Sequence, residues 1–229
     1  MKNEPVKISS LGENALTVSF GNEISLARNK KALNLACHFE KNRFPGFVET
    51  VPAYSSLSIF YDCFVVRKNF PEFATAFEAV RNFAENALRN LAEISEGESR
   101  LIKVPVCFAK DFALDLEWLA VENNLSTKEV IDIFTGRIYR VYMLGFLPGF
   151  AYMGEVDRRI ATARKQTPRS LVPAGSVGIA GRQTGIYSLA SPGGWQIVGK
   201  TNVKLFTPKA KSPTFLQAGD NVQFYAADF

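Results

Sequence analysis

The chain contains a single histidine, His38, and that scarcity removes whole classes of chemistry. A zinc site with two histidines is excluded. A Ser-His-Asp relay is likewise not expected within this chain alone, and no candidate partner group near His38 in sequence gives it a catalytic reading. His38 sits between Cys37 and Phe39 in a helical pattern and reads as a structural or surface residue. Cysteine is almost as rare. Cys37, Cys63 and Cys107 are odd in number and form no C-x-x-C, which argues against a disulfide framework and against a cysteine-based zinc centre. That usage suits a reducing cytosol. No apolar run approaches the ~18 residues of a membrane span. The opening residues, Met1 to Pro5, lack the apolar core of a secretory signal. A cytoplasmic chain without membrane contact is therefore expected.

What is present suits a folded protein. Hydrophobic residues make up 47% of the chain and charged residues 21%, so a proper core can form and disorder is disfavoured. At about 150 residues per domain, 229 residues fit one large domain or two small ones. The net charge of +5 is a mild excess, and no basic run is interleaved with aromatics, so nucleic acid is not an expected partner.

Leu16, Val18 and Phe20 alternate, which predicts a half-buried strand over 15–20. Ser25 is placed to cap a helix running to about Arg43, where Pro45-Gly46 stops it. Strands are predicted over 47–53 and 57–61. Pro71 is placed in the first turn of a second long helix, whose apolar stripe runs from Phe73 through Val80, Ala84 and Leu91 to Ile94. A strand follows at 101–107, pushed toward a sheet edge by Pro105. The order β-α-β-β-α-β is the split βαβ pattern of ferredoxin-like domains, expected over 1–100, although the last strand could instead open the next domain. Two helices then form an insert, one over 114–121 and one opened by the capping box Ser126-Thr127-Lys128-Glu129. Beyond residue 137 short apolar pieces are punctuated by glycine and proline, which predicts an all-β barrel or sandwich. The fold class is thus α+β, with domains over 1–100 and 101–229.

Candidate chemistry concentrates in 145–201. Gly145-Phe146-Leu147-Pro148-Gly149-Phe150-Ala151-Tyr152 opens it. Thr167-Pro168-Arg169, then Pro173-Ala174-Gly175-Ser176-Val177-Gly178-Ile179-Ala180-Gly181, then Gln183-Thr184-Gly185-Ile186-Tyr187 follow. Ser191-Pro192-Gly193-Gly194-Trp195 and Gly199-Lys200-Thr201 close it. The G-x-x-G-x-x-G run is neither a dinucleotide fingerprint nor a P-loop, and Ala174 rules out a nucleophile elbow at Ser176. Turns and bulges account for such glycines as readily as a catalytic loop does. Arg158, Arg159, Arg164, Lys165 and Arg169 form a basic segment able to bind a carboxylate or phosphate, or simply to face solvent. Arg169 is the best placed of them, because Pro168 stiffens its approach. Trp195 offers a flat face to a ligand or fills a core. Glu155 and Asp157 are the only acids between 145 and 201 and make a weak Mg²⁺ pair. No metal site is expected.

These strings together resemble the family of 5-oxoprolinase B subunits, also labelled allophanate hydrolase subunit 1, which includes the sporulation-kinase inhibitor KipI. Leu11-Gly12 and Val51-Pro52-Ala53-Tyr54-Ser55-Ser56-Leu57 extend the likeness toward the N-terminus. The resemblance implies a small α+β domain followed by a cyclophilin-like β-barrel. It implies pairing with a C subunit and, when an A subunit joins them, ATP-dependent opening of 5-oxoproline to glutamate, with ATP and Mg²⁺ used by the assembled complex. It implies as alternatives a protein that docks on a sensor histidine kinase, and a carboxyltransferase component acting with a biotin carrier, as in urea carboxylase. On matching motif positions, Arg169 and Lys200 would stabilise anionic oxygens, while Ser176, Gln183, Thr184 and Tyr187 would orient substrate and Trp195 would face it. Similar proteins usually carry a histidine where this chain has Phe134, and prolines where it has Ala163, Ser188 and Asn202.

Overall fold

In a computed structural model that describes residues 5–90 and 99–229, the chain divides into two units, Met1–Glu98 and Ser99–Phe229. Among the described residues no helix is long and apolar enough to cross a membrane.

The first unit is built on four antiparallel strands, β1 (Lys7–Ser10), β2 (Ala15–Ser19), β3 (Phe47–Pro52) and β4 (Ser56–Tyr61), in the order β1-β2-β4-β3. Period-two alternation decides which face is buried. Leu16, Val18, Leu57 and Ile59 are fully buried, each contributing about 1.5–3 kcal/mol of apolar burial, whereas Thr17 and Ser58 exchange a hydroxyl hydrogen bond at 3.0 Å. Three helices join this core: α1 (Leu26–Lys41), α2 (Cys63–Asn69) and α3 (Ala76–Arg89). Ala32, Leu35 and Phe39 from α1 and Ala79, Val80 and Ala84 from α3 meet the buried strand residues.

Several expectations need correction here. The strand after the helices, β5 (Leu101–Val106), belongs to the second unit's sheet, so residues 5–90 do not form the full β-α-β-β-α-β order. The position beside β2 is taken by β1, a short strand whose partly exposed burial pattern hid its periodicity. The helix expected from Pro71 begins later, as α3 at Ala76, and a short helix that was not expected, α2, precedes Pro71. The Asp62 carboxylate accepts from Phe64 N–H and Val65 N–H and starts α2, and a capping box of Thr75 and Glu78 starts α3, leaving Pro71 in the link. The continuation through Leu91 and Ile94 lies outside the described residues. Ser25 precedes α1, but its hydroxyl makes no capping hydrogen bond.

The second unit holds a seven-stranded sheet. Besides β5 it contains β6 (Ile138–Leu144), β7 (Ala151–Gly154), β9 (Ser176–Ala180), β10 (Gln183–Ile186), β12 (Gln196–Lys200) and β13 (Asn221–Ala226), ordered β12-β9-β10-β7-β6-β13-β5. Only β13 and β5 run parallel. The end strands meet: Cys107 N–H donates to the Lys200 carbonyl at 2.8 Å and Lys200 N–H returns a bond to Cys107 at 3.0 Å. This bridge all but closes the sheet into a barrel, which removes most exposed edge. Closure needs Gly199, where an added Cβ would lie 2.6 Å from Val106 Cγ1 and 2.9 Å from the Cys107 carbonyl oxygen. A short ribbon, β8 (Arg169–Val172) with β11 (Ser191–Gly193), stands apart from that sheet. The insert contributes α4 (Leu116–Glu122) and α5 (Thr127–Thr135), the latter opened by the capping box at Ser126 and Glu129.

Candidate functional site

Asp115 organises the basic segment. Its N–H and carboxylate both bond the edge of β12: the N–H donates to the Ile197 carbonyl at 2.8 Å and the carboxylate accepts from Ile197 N–H at 2.7 Å. The same carboxylate accepts from Arg169 Nη2 at 2.7 Å and Lys165 Nζ at 3.2 Å. Its side chain is only 5% exposed. Burial pushes its pKa up, but the bonds from Arg169, Ile197 and Lys165 outweigh that and hold it below the usual carboxylate range. Two of the five cations are therefore committed to a structural anion. Arg159 is committed as well, to Asp157.

Arg164 differs. Lys165 N–H donates to the Gly194 carbonyl at 2.7 Å, and Gln196 Nε2 donates to the Ala163 carbonyl at 3.1 Å, so the backbone is fastened on both sides of Arg164. Its guanidinium lies 5.8 Å from the Trp195 ring centroid, a cation–π distance, and makes no ion pair with a described carboxylate.

Beneath it lies an aromatic pocket of about 240 Å³, lined by Phe146, Phe150, Tyr152, Arg164, Pro168, Tyr187, Pro192, Gly193, Gly194 and Trp195. Phe150 is at its hub, edge-on to Phe146 at 5.5 Å, Tyr187 at 5.5 Å and Trp195 at 5.5 Å. Glycine is required at 193 because a Cβ there would stand 2.3 Å from the Tyr187 hydroxyl. Burial raises the Tyr187 pKa, against smaller lowering effects of the Trp195 backbone and the Arg164 charge, so the phenol stays protonated at neutral pH. Phe146 has φ +66 and is 58% exposed. Leu147 N–H donates to the Gly145 carbonyl at 2.8 Å across it, making a γ-turn of the rare positive-φ kind. Holding a bulky residue there costs on the order of 1–3 kcal/mol. Gly149 fixes the other end of the turn, at φ +79 and with the Leu205 carbonyl oxygen 2.8 Å from any added Cβ.

The motif residues thus divide. Phe146, Phe150, Tyr152, Tyr187, Pro192, Gly193, Gly194 and Trp195 come together at the pocket. Trp195 does so while 5% exposed, packed with Val172 and Ile197. Ser176 and Thr184 are buried in the barrel wall, with Thr184 donating to the Gly178 carbonyl at 2.9 Å, and neither lines this pocket. Gln183 and Gly185 pair with β9 and β7, so they serve the sheet. Gly178, Gly181 and Pro173 belong to β9 and its turns. Gly175, at φ +84, is wedged against the Thr201 carbonyl oxygen. Gly145 and Pro148 frame the Phe146 turn. Lys200 lies at the seam with its Nζ 5.0 Å from the Phe112 ring centroid.

A second and larger cleft, about 740 Å³, adjoins Arg164 and is lined by Trp118, Glu122, Asn123, Lys165 and Gln196 among others. Sequence reading missed Arg164 as the distinct cation, and it missed Asp115 and this cleft; an acid at a helix start gave no sign that it would reach across to β12.

Two other positions resolve plainly. Phe134, where similar proteins usually have histidine, is 1% exposed and stacks on Phe224 at 4.9 Å, with Tyr139 at 5.2 Å. It fills core space. Glu155 is ion-paired with Arg182, and Asp157 with Arg137 and Arg159. Among the described residues no group of three or more histidines, cysteines or acids is placed to hold a metal ion.

The barrel is nearly closed, and its aromatic pocket is lined by one cation and by neither carboxylate nor imidazole. The chain belongs to the carboxyltransferase domain family, subdomains C and D, whose model matches residues 6–216. It is 47% identical to the 5-oxoprolinase B subunit of Bacillus subtilis (strain 168), over 95% of this chain and 91% of that protein. The crystal structure of TTHA0988 superposes with a TM-score of 0.78 at 33% identity; the match covers 94% of this chain but only 40% of that longer one. A conserved uncharacterized protein, PH0987 from Pyrococcus horikoshii, is 42% identical with a TM-score of 0.55, covering 97% of this chain and 98% of that one.

Proposed function

We propose that this chain is the B subunit of an ATP-dependent 5-oxoprolinase, acting with homologues of the C and A subunits to open 5-oxo-L-proline to L-glutamate. The observation that carries this reading is its 47% identity to the Bacillus subtilis protein over nearly the full length of both chains. The pocket chemistry agrees with a non-autonomous part. A lactam is stabilised by amide resonance, so water alone opens it slowly. Transfer of the ATP γ-phosphoryl group to the lactam oxygen makes the ring carbon electrophilic. Water then adds and the C–N bond breaks, leaving an acyl phosphate, and a second water releases phosphate and the free carboxylate. The pocket walls hold no acid–base pair for these steps, and Glu155 and Asp157 are already paired with arginines. In this reading Mg²⁺-ATP is used by the assembled complex, and this chain contributes substrate contacts.

The test is co-expression with the candidate C and A subunits, followed by measurement of glutamate and ADP. A well-folded complex that forms no ATP-dependent glutamate refutes the reading. The family's carboxyltransferase description favours a second reading, transfer of a carboxyl group with a biotin carrier. Inactivity with a biotinylated carrier and urea-like acceptors removes it. Docking on a sensor histidine kinase rests on the resemblance alone, and unchanged autophosphorylation of the host's kinases in the presence of this chain disposes of it.

A further inference from the structure

The Phe146 turn is strained, and its ring is more than half exposed, so core burial does not explain why the backbone is held there. The ring instead stands over the pocket, edge-on to Phe150 and, at 6.3 Å, to Tyr187. Arg164, itself exposed, also lines the pocket and presents its cation from a fastened backbone, with its guanidinium over Trp195. Five aromatic rings around about 240 Å³ suit a compact body with apolar faces. A lone guanidinium suits one carboxylate, which its fork binds through two parallel N–H bonds. No acidic residue lines the pocket, so an ammonium brought in with the ligand would find no carboxylate and would meet the like charge of Arg164.

We infer that this pocket binds a small ring bearing a carboxylate and no basic nitrogen, with Arg164 fixing the carboxylate and Phe146 setting the specificity for the ring. Cyclic amides and carbocycles fit; cyclic amines such as proline are rejected. The ring class stands on the pocket alone. That 5-oxoproline is its physiological member rests on the reading given above.

The experiment is an NMR titration of the full chain with 5-oxoproline, cyclopentanecarboxylate and proline. The first two are expected to bind, and proline at least about tenfold more weakly, because its charge goes unpaired. Arg164→Gln weakens both ring acids about tenfold or more through loss of a charged hydrogen bond. Phe146→Ala and Phe146→Gly weaken both about fivefold through loss of an aromatic face. Phe146→Gly also relieves the turn, so its Tm is equal to or above that of the parent. Arg81→Gln, in the other unit, changes nothing. The inference is overturned if neither ring acid binds, if proline binds as well as they do, if either pocket variant binds like the parent, or if Phe146→Gly lowers the Tm. Binding of cyclopentanecarboxylate but not 5-oxoproline keeps this pocket and counts against the 5-oxoprolinase reading. Undiminished glutamate formation by a complex carrying both Arg164→Gln and Phe146→Gly keeps that reading and sinks the pocket.

Discussion

Replacing Asp115 tests the arrangement that holds the basic segment to the barrel. In Asp115→Ala the carboxylate is lost while Arg169 and Lys165 stay, with side chains 23% and 31% exposed. Removing one partner of a buried pair costs about 3–5 kcal/mol, and the partial exposure of both cations brings this down to about 2–3 kcal/mol. Ile197 N–H also loses its acceptor, adding about 1 kcal/mol or more. The expected total is about 3–4 kcal/mol for alanine, and about 2 kcal/mol for asparagine, whose amide oxygen still accepts one bond. Both tryptophans, Trp118 and Trp195, lie in the Ser99–Phe229 unit, so tryptophan fluorescence in urea reports that unit alone. The pH dependence has a definite sign. Asp115 has a folded pKa below its unfolded value of about 4, so its contribution is complete above that pH and is lost as pH falls through the folded pKa. The gap between parent and Asp115→Asn is therefore widest near neutral pH and narrows in acid. An alanine variant within about 1 kcal/mol of the parent, or a gap that widens as pH drops, refutes the reasoning.

Gly175→Ala forces a Cβ to 2.3 Å from the Thr201 carbonyl oxygen at φ +84, and about 2–4 kcal/mol of barrel stability should be lost in the same fluorescence assay. Phe134→His, which restores the residue usual in similar proteins, puts an imidazole among Phe224, Tyr139 and Phe108 and should cost about 2–4 kcal/mol without raising glutamate formation. Burial depresses such an imidazole's pKa, so the cost should grow as pH falls below about 6.5; a gain in activity would show that Phe134 is more than core. Asp62→Ala removes the cap of α2 and should cost the first unit about 1 kcal/mol, visible by circular dichroism and silent in tryptophan fluorescence.

The barrel's strands were legible where local rules suffice. Alternation over 138–144 marks β6, and its apolar residues on both faces fit its place between β7 and β13. The Ser126–Glu129 capping box marks the start of α5. Assignment of strand 101–106 was a different problem. Its sequence looks the same beside either sheet, and only its parallel pairing with β13, over a hundred residues away, decides the matter. The true start of the second long helix was local, and Thr75 with Glu78 carried the signal. Phe73 masked it, because that residue packs on the same core and extends the apolar stripe ahead of the cap.

The site divides along the same line. The aromatic and glycine positions of the motifs come together at the pocket, where Tyr187 leaves no room for a Cβ at Gly193. The cations gave no sign of which would join them: Arg158, Arg159, Arg164, Lys165 and Arg169 are alike in sequence, and of the two without an ion pair to a described acid, Arg158 and Arg164, only Arg164 lines the pocket. Asp115, fifty residues upstream of Lys165, occupies Lys165 and Arg169, and Asp157 occupies Arg159. Which arginine remains available to a ligand is therefore fixed by where the acids fall in three dimensions. Stiffness next to Pro168 favoured Arg169 on local grounds, but its Nη2 is held by a buried carboxylate, whereas Arg164 keeps its charge for whatever enters beside Trp195.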